Sequence, residues 1–104
     1  MAQDQKRLEL QELLEALLGT PAVYFQPPGD LQMSYPCIVY RRERAVTRFA
    51  DNNPYHHKKM YQVIVIDRDP DSDIPDKVAA LPMSTFDRFY VAANLNHDVY
   101  NLFF

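Results

Sequence analysis

The chain has 104 residues, of which 47% are hydrophobic and 24% charged. That is ordinary globular composition, it argues against intrinsic disorder, and it supports one domain over residues 1–104 with one modest core. Eleven Lys and Arg against fourteen Asp and Glu give a net charge of -3, which excludes a surface built all round to hold nucleic acid but leaves room for local basic patches.

The chain then reads as a series of elements. From Asp4 to Leu18, Leu10, Leu13, Leu14, Leu17 and Leu18 recur at helical offsets with Glu9, Glu12 and Glu15 on the other side, which predicts an amphipathic helix. Gly19 suits the left-handed position after its last turn, and Pro21 prevents continuation. Ala22 to Gln26 is a short β-prone run cut off by Pro27, Pro28 and Gly29. After a loop through Leu31 and Tyr35, Cys37 to Tyr40 is a continuous apolar run, the signature of a strand covered on both faces. Met60 to Asp67, reading MYQVIVID, is the strongest strand signal because Val63 to Ile66 are all β-branched. Between these two strands the polar segment Arg41 to Lys59, with Asp51, Asn52, Asn53 and Pro54 as its turn, reads as a long projecting hairpin. Asp73 is placed to cap a short helix starting at Ile74 and ending near Leu81 at Pro82. Ser84 to Val91 and Asp98 to Phe104 read as a last pair of strands. The fold class is therefore α+β, in the order α-β-β-β-α-β-β, with two helices on a mostly antiparallel sheet. Leu10, Leu13, Leu14, Leu17, Val63, Val65, Val78 and Leu81 form the expected core.

Sites of chemistry are sparse. Two glycines leave no phosphate-cradling loop. The single cysteine, Cys37, cannot form an internal disulfide, and no Cys/His set has zinc-site spacing. Cys37 lies in an apolar strand, where burial raises a thiol pKa and hides it. Asp67, Asp69, Asp71 and Asp73 alternate as calcium ligands do, but an EF-hand needs Gly where Ser72 stands and Glu where Val78 stands, so a solvated turn is expected instead. His56 and His57 are adjacent and diverge in a strand, with His97 far along the chain. No catalytic residue, cofactor or metal site is assigned. No leader peptide and no run of about 20 apolar residues is seen, so secretion and membrane insertion are not expected.

The segment Arg41 to Lys59 is different. Arg41, Arg42, Arg44, Arg48, Lys58 and Lys59 against Glu43 and Asp51 give it a local charge of +4, leaving -7 for the rest. Such asymmetry suits pairing between copies of the chain, and these six residues are the candidate self-association or docking surface. The segment carries few apolar residues, so it is expected to become ordered only against a partner. An alternative reading is a small nucleic-acid-binding module that uses the same hairpin, with Tyr40, Phe49, Tyr55 and Tyr61 as stacking platforms.

The runs LQELLEALLGTPAVYFQPP, YPCIVYRRE, ADNNPY, YQVIVIDRDPDSDIPDKVAALP and STFDRFYVAANLNHDVYNLFF together resemble the tail-terminator or tail-completion proteins of long-tailed phages and prophages. The resemblance spans nearly the whole chain and rests on structural runs, with no catalytic signature. It implies a non-enzymatic structural protein in a homohexameric ring that ends tail-tube growth and offers a docking surface to the head. The implied partners are copies of itself, the tail tube protein and a head-completion or connector protein. Genomic DNA would pass through the lumen without specific binding. The implied location is the head–tail junction of the virion, reached from the host cytoplasm. Head-completion and connector adaptors from the same gene clusters are similarly small and form the alternative reading.

Overall fold

The computed structural model describes residues 5–45 and 59–104, apart from the side chains of Arg44 and Ala45. Its elements are α1 (Gln5–Leu18), β1 (Val23–Phe25), β2 (Cys37–Ala45), β3 (Lys59–Asp67), α2 (Ile74–Ala79), β4 (Ser84–Ala92) and β5 (Leu95–Phe103). The predicted order holds. One five-stranded sheet runs β1-β2-β3-β5-β4; β1 is parallel to β2 and every other pair is antiparallel.

The sheet centre explains the rest. Cys37 to Tyr40 on β2 and Val63 to Ile66 on β3 are all buried, with Ile38 opposite Val65 and Val39 opposite Ile64. Alternation sends Ile38, Tyr40, Tyr61, Val63 and Val65 to one face, where they pack with Leu10 and Leu14 of α1 and Ile74 and Val78 of α2. Cys37, Val39, Ile64, Ile66 and Val99 take the other face. Neither α1 nor α2 packs on that face. Instead the loop before β2 folds over it with Met33 and Tyr35, beside Tyr24 and Leu95, and the Tyr24 hydroxyl accepts the Ser34 N–H at 3.3 Å. The Tyr35–Pro36 peptide bond within this loop is cis.

The helix boundaries follow their local chemistry, with one correction. Gly19 has φ +87 and its N–H donates to the Glu15 carbonyl at 2.8 Å, the left-handed C-terminal cap expected of it. Asp73 occupies the position preceding α2, but its side chain makes no cap bond; Ser72 Oγ accepts the Ile74 N–H at 3.2 Å instead. Pro75 has no N–H for a capping carboxylate to accept, and the Ser72 hydroxyl satisfies the first donor of the helix.

Other boundaries shift. β5 begins at Leu95, three residues before its expected start at Asp98, because Ala93 and Asn94 alone form the turn from β4, with φ 53 and 62. Left-handed values at both positions define a type I′ hairpin turn. Leu13 is also corrected: it is 37% exposed, whereas Leu17 and Leu81 are partly buried against the core. The stripe on α1 is narrower than five leucines imply because α2 is only six residues long and cannot cover both flanks. Of the hairpin expected over Arg41 to Lys59, the ends are part of the paired strands β2 and β3 out to Ala45 and Lys59; residues 46–58 lie outside the described residues, as does the expected ordering on a partner.

Two stability tests follow from this packing. Leu14→Ala should cost about 2–5 kcal/mol and Leu13→Ala well under half of that, measured by denaturant melts. Ala93→Asn should stabilise by about 0.5–1 kcal/mol, since asparagine adopts the left-handed region more easily than alanine.

Candidate functional site: two charged ends and an open edge strand

Cations collect where β2 ends and β3 begins. Arg41 and Arg42 are exposed and stand opposite Gln62 and Tyr61; Lys59 is half-buried opposite Ala45. Of the other residues assigned to this surface, Arg44 continues β2 beyond a bulge, while Arg48 and Lys58 lie outside the described residues. The structure adds two cations that the charge run did not reveal. Arg7 places its guanidinium 4.5 Å from the Phe25 ring centre and donates to the Tyr40 hydroxyl at 3.5 Å. Lys6 lies 5.4 Å from the Phe104 ring centre. Arg7, Arg42, Phe25, Gln26 and Tyr61 line one notch at this end. A signal for Lys6 and Arg7 was present: α1 has no acid in its first turn, so these cations sit against the positive end of the helix dipole, which is locally unfavourable.

Behind this end, Tyr40 links α1 to the sheet. Its hydroxyl donates to Gln11 Oε1 at 2.6 Å, and Gln11 Nε2 donates to Glu15 Oε2 at 2.8 Å and to the Val23 carbonyl at 3.0 Å. Burial raises the Tyr40 pKa, and the Arg7 guanidinium works against that rise. Tyr40 and Tyr61 are both buried in the core, so neither can offer a ring face to a base. Of the proposed stacking platforms, Phe49 and Tyr55 lie outside the described residues.

Acids collect at the opposite end. Asp67 ends β3, Asp69, Asp71 and Asp73 follow it and Asp76 lies in α2, interrupted only by Arg68 among charged residues. Asp67 Oδ1 accepts the Asp69 N–H at 3.0 Å and Asp69 Oδ1 accepts the Asp71 N–H at 2.9 Å. These carboxylates therefore shape their own loop by consecutive Asx turns. Asn96 anchors the loop to β5, its Nδ2 donating to the carbonyls of Asp67 at 3.1 Å and Arg68 at 3.3 Å. The Lys77–Asp73 pair at 3.9 Å is largely solvated and contributes little. Nearby, burial and then Asp76 raise the Asp98 pKa, with His97 opposing. Among the described residues no three His, Cys, Asp or Glu groups are arranged to hold a metal ion.

The third feature is β4. Phe86, Phe89 and Val91 are 54%, 50% and 59% exposed, on a strand that has no neighbour on one side among the described residues. His97 stacks on Tyr90 with ring centres 4.5 Å apart. His56 and His57 lie outside the described residues. No family model, curated protein or solved structure matches this chain, and among the described residues no helix is long and apolar enough to cross a membrane.

Cys37 is fully buried, and burial, reinforced by Asp67, pushes its thiol from 9.0 up to about 11. Between these values the unfolded chain has lost a proton that the folded chain keeps, so stability falls as pH rises above 9.0. Denaturant melts across the alkaline range should show a smaller fall for Cys37→Ala. A thiol-reactive dye should label the native protein only as it unfolds.

Proposed function

We propose that this chain is a structural morphogenesis protein of tail-terminator type, which caps the tail tube of a long-tailed phage, stops its polymerisation and offers a surface to the head. It would act as a homohexameric ring, with the tail tube protein and a head-completion or connector protein as its other partners and genomic DNA passing through unbound. Its place would be the head–tail junction of the virion, after assembly in the host cytoplasm. The family resemblance of the sequence motivates this reading.

The observation that supports it is the division of charge along the strands. Lys6, Arg7, Arg41, Arg42 and Lys59 occupy one end, and Asp67 to Asp76 follow the other end of β3. Unlike patches on one chain can meet head to tail, and such a heterologous contact closes into a ring when its rotation closes. Opposite potentials also steer the encounter and fix its polarity. A net charge of -3 limits phosphate affinity, which grows with every Lys or Arg contact, so DNA can move through a lumen.

Charge reversal tests the contact. Arg41→Glu with Arg42→Glu should leave circular dichroism unchanged while abolishing rings in sizing and negative-stain imaging and leaving tails overlong. Asp71→Lys with Asp73→Lys should do the same, and combining all four substitutions should restore assembly. Rings of the unaltered protein should loosen with salt, since exposed pairs are screened within about 10 Å at 0.1 M. Normal capping by the Arg41/Arg42 variant overturns the reading. Binding to heads with no effect on tube length favours the connector role.

A further inference from the structure

The two edges of the sheet differ. In β1 the groups that point away from β2 belong to Val23 and Phe25, because the Ile38 N–H donates to the Ala22 carbonyl and the Gln26 N–H to the Tyr40 carbonyl. The Val23 carbonyl is taken by Gln11 Nε2 at 3.0 Å, and the Val23 N–H donates to the Pro21 carbonyl at 2.7 Å. At Val23 that edge is closed from within. No comparable side chain closes β4 among the described residues, and β4 is nine residues long.

The pattern of free groups along β4 follows from its turn and its bulge. A two-residue turn makes Ala92 and Leu95 a hydrogen-bonded pair, so Tyr90 opposite His97 and Arg88 opposite Val99 also bond to β5. From the other end, the Phe103 N–H donates to the Met83 carbonyl at 3.2 Å, which makes Thr85 opposite Asn101 the next bonded pair. Ser84, Phe86, Phe89 and Val91 are left facing outward. Their side chains share the helix-bearing face, since Phe86 stands opposite Tyr100 and Phe89 opposite Asp98. In a regular strand Phe86 and Phe89 would face opposite ways; the irregularity between Phe86 and Arg88 restores their parity.

The geometry points to β4 as a self-complementary edge that takes β4 of a second copy, antiparallel, about a two-fold axis between Asp87 and Arg88. In that register Phe86 bonds to Phe89 of the second copy, and the Ser84 carbonyl accepts from Val91 of the second copy, the Ser84 N–H being held by the Leu81 carbonyl at 3.3 Å. Outward groups meet outward groups, and helix face meets helix face. Phe86 and Phe89 then form cross-strand aromatic pairs on each side of the axis, and Thr85 lies beside Tyr90 of the second copy on the other face. At the centre the two bulges face each other. Asp87, which accepts from Arg88 Nη1 at 2.7 Å within its own chain, also meets Arg88 of the second copy. The charges alternate around the axis. A register centred on Tyr90 would pair only Arg88 to Ala92, leave Phe86 uncovered and set Arg88 against alanine. The contact is isologous and independent of the capping role.

Sedimentation velocity of the full chain across concentration tests this. With the head-to-tail contact removed by Arg41→Glu and Arg42→Glu, the chain should still form dimers, and the further variants are compared in that background. Asp87→Arg alone and Arg88→Asp alone should each weaken dimerisation by about tenfold or more, because like charges then meet at the axis, and the double exchange should restore it. Circular dichroism checks that each variant is folded. Hydrogen exchange gives a measurement that needs no variant: the Phe86, Phe89 and Val91 amides should slow with concentration, while those of Arg88 and Tyr90, already bonded to β5, stay unchanged. A chain that remains monomeric, as it would if this edge served a different protein, overturns the proposal. So does a dimer that is indifferent to single reversals, is not restored by the exchange, or leaves the Phe89 and Val91 amides fast.

Discussion

Everything in this domain is arranged around the pairing of β2 with β3, where the four consecutive pairs between Cys37–Tyr40 and Val63–Ile66 are buried, alternately on the two faces. A strand pair that is apolar on both sides cannot stand in water on either. One side is met by α1 and α2 and the other by the loop before β2. With its covering elements spent there, the chain leaves β4 at the margin with large apolar side chains in solvent. The exposed edge is thus a consequence of where two short helices and one loop can reach.

The same pairing sets the electrostatics. Because β2 and β3 run in opposite directions, the basic residues that follow the apolar part of β2 and precede that of β3 gather at one end, and the acids that follow β3 are carried to the other. A charge asymmetry that is alternating along the chain becomes a longitudinal one in space. Arg7 and Lys6 join the basic end from α1, held over the Phe25 and Phe104 rings, which moderates the cost of placing cations at a helix N-terminus.

Much of this was legible before any coordinates. The two-sided burial of Cys37–Tyr40 followed from an unbroken apolar run, the strand at Val63–Ile66 and the burial of Val63 and Val65 from β-branched residues, and the end of α1 from Gly19, because all depend on local residue type; the burial of Ile64 and Ile66 on the other face was not expected. The early start of β5 was not legible, since Ala93–Asn94 lacks the glycine that advertises a type I′ turn and the polar stretch Asn94–Asp98 reads as loop. Nor was the exposure of Leu13, which depends on the length of a helix sixty residues away. At the charged surface, Arg41, Arg42 and Lys59 stood out by their number, whereas Arg7 was hidden in an otherwise ordinary helix. The buried positions of Tyr40 and Tyr61 show why aromatic residues among cations are weak evidence for stacking on bases. Alternation put both on the helix-bearing face of the sheet.

Gln11 illustrates how a single side chain can govern assembly far beyond its own contacts. By holding the Val23 carbonyl it removes one of two sites at which a sheet can be extended. Sheets with two receptive margins can add subunits without limit and grow into fibres. With Val23 occupied from within, pairing along that margin is interrupted, which favours growth that stops after a single addition through the other. An amide on a helix face thereby works as a chain stopper, separating a protein able to associate through its strands from one condemned to aggregate through them.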